Sequence, residues 1–165
     1  MKKVLIILGL LLTLTVNAQL EGIISQTDGA DPYGPELITN GAIGDGTSWS
    51  WDASWSIVDG VAIYSRATNN HYIRQVDGDM QGSTKANTNY RLVFDITISS
   101  GNASILITVG DGNYDYVIKS NYPGGTNEVF FTSPANIGVK GISFYGSTDS
   151  SNPFGLDNIS LKEVL

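Results

Sequence analysis

Asp157 is the residue whose position most asks for a chemical explanation. In "FGLDNISLKEVL" (154–165), read as a strand, side chains alternate between two faces, and Asp157 shares its parity with Ile159 and Leu161. An unpaired buried carboxylate is expensive, so this one must lie at an exposed end, accept hydrogen bonds or bind a cation. A second acidic run, "DGNYD" (111–115), alternates Asp111, Asn113 and Asp115 like the start of an EF-hand loop. Its sixth position is Tyr116 rather than Gly and its twelfth is Tyr122 rather than Glu, so that match fails and a Gly-rich turn is expected. His71 is the only histidine and there is no cysteine. Disulfides, thiolate zinc sites and cysteine nucleophiles are excluded, and a Ser-His-Asp hydrolase has no particular support.

Aromatic rings carry the remaining chemistry. A pyranose presents a C–H face that stacks on a ring, while its hydroxyls bond to nearby amides, carboxylates or guanidinium groups. The candidates are Trp49, Trp51, Tyr72, Tyr114, Tyr116 and Tyr145, with Arg74 and Gln75 of "YIRQV" as polar partners. Trp49 and Trp51 in "GDGTSWSWD" share a face at i and i+2. Each ring competes with a plain packing role, and one or both of these tryptophans can instead cap the end of the fold. Trp55 and Tyr90 have apolar companions and are expected in the core.

These side chains must be positioned by strands. Glycine is abundant, and β-branched and aromatic residues come in short bursts separated by turn formers. "WSIVDGVAIY" is a hairpin: Asp59-Gly60 suits a two-residue turn with positive φ at both positions, pairing Val58 with Val61 and Trp55 with Tyr64. Further strands are expected at 71–76, 81–86, 90–98, 103–109, 114–120, 127–133, 139–146 and the closing segment. In "YRLVFDITI", Tyr90, Leu92, Phe94, Ile96 and Ile98 form one inward row. Many antiparallel strands without a convincing amphipathic helix predict an all-β fold, an antiparallel β-sandwich or jelly roll.

Lys2 and Lys3 before the apolar run Val4–Leu14, then "VNA", read as a bacterial-type signal peptide over residues 1–18, so a secreted, extracellular product is expected. No second long apolar stretch follows, and no membrane insertion is expected. Residues 19–35 are polar and turn-rich and read as an N-terminal arm or linker, with the compact domain over 36–165. The net charge of −7 opposes nucleic acid and anionic membranes and suits neutral ligands or cations.

"ELITNGAIGDGTSWSWDASWSIVDGVA" (36–62), "NYRLVFDI" (89–96) and "LDNISLKEV" (156–164) together resemble carbohydrate-binding modules of the galactose-binding-like jelly-roll type, over nearly all of the chain after the leader. Similar modules occur in phage tail and capsid-associated proteins. The resemblance implies a secreted, non-catalytic module that binds a polysaccharide or glycan. It also implies a structural calcium held by Asp157, with backbone carbonyls near Asn40 and Gly41. The acid that such modules place after "N-G-x-aromatic" is here Asp45, one position late, and Ile43 stands where the aromatic is usual. An alternative function is a structural or adhesive module of a cell-surface, extracellular or virion assembly, self-associating through the arm at 19–35.

Overall fold

The computed structural model describes residues 31–65, 71–109, 117–137, 141–146 and 152–165. Two antiparallel sheets face each other across an apolar core. Sheet A runs β3 (Trp55–Val58), β4 (Val61–Tyr64), β11 (Phe154–Val164), β6 (Asn89–Ile98), β9 (Gly125–Thr132), with β1 (Tyr33–Glu36) also paired to β11. Sheet B runs β2 (Ser50–Trp51), β5 (His71–Val76), β10 (Gly141–Gly146), β7 (Asn102–Val109), β8 (Val117–Pro123). This is the expected antiparallel sandwich. Among the described residues its pairing begins at Tyr33, inside the segment read as an arm. The expected strand at 81–86 is absent; after a single 3₁₀ turn at Asp77–Asp79 the chain there is irregular. It is tied instead by point contacts, such as the bond from Gly141 N to the buried Thr84 hydroxyl.

The hairpin forms as its sequence dictates. Val58 faces Val61 and Trp55 faces Tyr64, with Asp59 at φ 50° and Gly60 at φ 83°. Trp55 and Tyr64 stack at 5.2 Å between ring centroids, and Phe154 closes the cluster against both. The inward row of β6 is buried from Tyr90 to Ile96, with Ile98 partly exposed at its end. Phe94 reaches across the interior to Tyr122 and Phe144 of sheet B, at 4.9 and 5.7 Å. Such ring contacts add about 0.5–1.5 kcal/mol each beyond burial.

Strand β11 answers the question posed by Asp157. Asp157 stands opposite Asp95 and Ser160 opposite Val93, with a register shift between them. Asn158 takes φ 49° there. This is a β-bulge: one extra residue reverses the alternation. Leu156 and Ile159 therefore both point inward and are buried, while Asp157 lies on the outer face, partly exposed. Simple parity put the carboxylate on the apolar side; the bulge takes it off.

The bulge also leaves β11 without a continuous neighbour on one edge. Residues 154–156 pair with β4, and Tyr33 and Glu36 of β1 face Val164 and Lys162. Between these, Ile159 N donates to Gly41 O at 2.8 Å, and Leu161 N donates to Glu36 Oε1 at 2.8 Å. The same Oε1 accepts Leu37 N and Ile38 N, and Oε2 accepts the Ser160 hydroxyl at 2.5 Å. Gly41 is required for close approach, because a Cβ there would collide with the Ile159 carbonyl oxygen. Hydrogen bonds to a charged acceptor are the strong ones. Glu36→Ala is expected to cost about 3 kcal/mol in urea unfolding and Glu36→Gln about 1 kcal/mol, the amide retaining one acceptor oxygen. An alanine variant as stable as the parent would remove Glu36 from this role.

Candidate functional site

The outer face of sheet B gathers three of the ring-and-guanidinium candidates. Ile73, Phe144 and Ile107 point into the core, so their neighbours along β5, β10 and β7 point outward. Two cross-strand rows result: Tyr72, Tyr145 and Leu106, then Arg74, Ser143 and Thr108. The Arg74 guanidinium lies over the Tyr72 ring at 4.5 Å, and Tyr72 meets Tyr145 edge-on at 6.0 Å. Tyr145 is buried and Tyr72 half-buried. The hydroxyls of Ser143, Thr108 and Ser104 are buried on this face and have no hydrogen-bond partner among the described residues. Aromatic rings and a guanidinium on one rigid sheet are groups that polyhydroxylated ligands use.

Asp52 and His71 brace the end of this face. Asp52 Oδ2 accepts Tyr72 N at 3.1 Å, and Oδ1 lies 2.8 Å from His71 Nδ1. Asp52 N donates to Tyr72 O, and the Trp55 indole donates to His71 O. The only histidine thus takes part in fixing the backbone that carries Tyr72.

The remaining candidates lie elsewhere. Trp49 is only 6 % exposed, and its indole N–H donates to Asn40 O at 2.9 Å, so it packs into the end of the sandwich. Trp51 is 40 % exposed on β2 at the edge of sheet B, with its ring against Gly46. Gln75 is fully buried, and both ends of its amide bond the backbone of Thr39. It substitutes for a strand partner and does not reach the outer face. Tyr114 and Tyr116 lie outside the described residues. Ser104, Thr108 and Ser143 were not singled out in the sequence, although "SILIT" and "SFY" set them at outward parity within apolar strands.

Three of the four residues implied as calcium donors are engaged separately. Asn40 O accepts Ile43 N and the Trp49 indole, and Gly41 O accepts Ile159 N. Asp45 turns back to Thr47, accepting its N–H and hydroxyl at 3.0 and 2.6 Å. These bonds hold the Asp45 carboxyl below its usual range. Asp157 Oδ1 is buried without a hydrogen-bond partner among the described residues. No cluster of three or more His, Asp or Glu side chains occurs among the described residues.

Asp95, opposite Asp157, accepts hydrogen bonds from Thr126 and from Asn158 Nδ2 (2.8 Å), which hold its carboxyl below the usual carboxylate range. Its contribution to stability is therefore complete above the unfolded value of about 3.9 and is lost as pH falls through the lower folded value. The group is largely solvated, so the effect is small. In acid unfolding, wild type is expected to lose more stability than Asp95→Asn over that window; parallel curves would show that these bonds do not favour the ionised form.

No family model and no curated protein matches the chain. Solved structures do. The second N-terminal cellulose-binding domain of Cellulomonas fimi β-1,4-glucanase C superposes with a TM-score of 0.51 at 16% identity, covering 84% of this chain and 98% of that one. The low-affinity xylan-binding module CBM86 of the gut symbiont Roseburia intestinalis gives 0.50 at 14% identity, covering 79% and 95%. An arabinose-bound α-L-arabinofuranosidase gives 0.52 at 12% identity, covering 78% of this chain but only 26% of that enzyme. At these identities the likeness is one of fold: the chain has the jelly-roll sandwich found in carbohydrate-binding modules.

Proposed function

We propose that this chain is a non-catalytic carbohydrate-binding module whose outer face of sheet B takes a neutral polysaccharide. The observation that carries the reading is the joint placement of Tyr72, Arg74 and Tyr145 beside Ser143 and Thr108, on the face that the strand register turns away from the core. A sugar C–H face stacks on the half-buried Tyr72 ring, which Tyr145 backs edge-on, and the Arg74 guanidinium takes sugar oxygens. Side chains fixed on strands lose little entropy on binding, which favours affinity. Glu36 and Asp45 spend their carboxylates on backbone groups, which is structural rather than acid–base work. The Lys-Lys leader and the net charge of −7 support an exported protein with an uncharged ligand. The fold shared with cellulose- and xylan-binding domains supports the ligand class.

Native gels containing soluble xylan, hydroxyethyl cellulose, mannan or β-glucan test this. At least one polysaccharide is expected to retard the wild-type chain. Tyr72→Ala and Arg74→Ala should each weaken the response about tenfold, in line with about 0.5–1.5 kcal/mol for a stacked ring, with unchanged far-ultraviolet spectra. Wild-type mobility in every gel would end the carbohydrate reading. Retardation that Tyr72→Ala leaves intact would move the site off sheet B.

A further inference from the structure

The outer face of sheet A carries an exposed ring that neither the core nor the sheet B face uses. Phe130 on β9 is 58 % exposed, although a phenyl ring has no polar group to justify a place in water. It stands directly across from Arg91 of β6. Arg91 is held in place twice: its Nε donates to Glu128, and its guanidinium lies 4.8 Å from the centroid of the Tyr33 ring. In the next row, Asn89 faces Thr132, whose hydroxyl donates to Asn89 Oδ1 at 2.6 Å. That bond uses the amide oxygen and leaves the amide N–H groups for another acceptor. A hollow of about 330 Å³ opens here, lined by Asn89, Tyr90, Phe130, Phe131, Thr132 and Val164.

The geometry points to a second saccharide site on sheet A, centred on Phe130 and independent of the site on sheet B. It borrows from the reading above only the class of ligand. Phe130 offers the stacking surface for a sugar C–H face; the Asn89 amide offers N–H donors beside it, and the Thr132 oxygen a further acceptor. No charged side chain is among the residues lining the hollow, which suits an uncharged ring. Its volume lies at the small end of the about 300–1,000 Å³ typical of small-molecule sites. It suits one or two sugar residues, a chain end or a side branch, rather than a long run of backbone. A protein partner fits less well, because a stable interface needs about 800 Å² per side. Here a single large ring stands among Arg91, Glu128, Asn89 and Thr132. The two sites lie on opposite faces of one sandwich. They cannot grip one straight chain together, but they can bridge two chains.

Calorimetric titration of the full chain with cellohexaose and with xylohexaose, alongside Phe130→Ala, Tyr72→Ala and the double variant, tests the inference. Two sites per chain are expected in wild type, one in each single variant and none in the double. Phe130 is exposed, so its removal should leave the far-ultraviolet spectrum and the urea midpoint unchanged. One site per chain, lost with Tyr72→Ala and untouched by Phe130→Ala, would overturn this inference and leave the sheet B reading standing. The reverse pattern would uphold this site and remove the other. No heat with either sugar in wild type would overturn both. Light scattering adds a further check: if Phe130→Ala converts a dimer to a monomer without altering sugar binding, Phe130 is a contact between copies and the inference fails.

Discussion

The carboxylate of Glu36 ties β1 and the segment after it to β11. It accepts Leu37 N, Ile38 N, Leu161 N and the Ser160 hydroxyl, and so stands where a neighbouring strand would otherwise supply acceptors to β11. The bulge at Asn158 makes such a substitute necessary. A strand that gains a residue falls out of step with its neighbour, and the backbone groups exposed there must find other partners. Gly41 O and Glu36 Oε1 are those partners. With β11 fixed, β6 and β9 lie flat on one side of it and the Trp55 hairpin on the other, and the inner face of sheet A is complete.

This arrangement explains what could be read in the sequence. Local chemistry was transparent. Asp59-Gly60 set the hairpin register residue for residue, and the alternation in "YRLVFDITI" gave the buried row. Composition and period were enough for an antiparallel sandwich. What alternation cannot show is a change of phase. Nothing in "FGLDNISL" marks Asn158 as a bulge except that asparagine tolerates positive φ, and the side on which Asp157 falls depends on that one residue. Long-range pairing was equally hidden: Gln75 looks like an outward strand polar group, yet its amide replaces a main-chain partner for Thr39. The motif "QGSTKA" alternates plausibly but has no strand beside it.

The candidate sites follow the same division. Tyr72 and Arg74 were readable as neighbours on one strand, and Tyr145 as an aromatic in another, but only the register β5–β10–β7 places them in one group. Trp49 and Trp51, two positions apart, part company: one indole turns inward to Asn40 O while the other rests at a sheet edge against Gly46. Phe130 gave no signal in "NEVFFTS", where Phe131 is its buried twin; which of two adjacent phenylalanines faces water is set by the partner strand.

Strand order has a kinetic consequence. Most of β11 lies in the interior of sheet A, between β6 on one edge and β4 with β1 on the other, yet its residues are translated after all of theirs. A nascent chain leaving the ribosome can close the Trp55 hairpin early, but β6 and β4 have nothing between them until residues 154–164 appear. The central ladder of sheet A therefore cannot close until residues 154–164 have been made, although the β6–β9 pairing and sheet B do not depend on them.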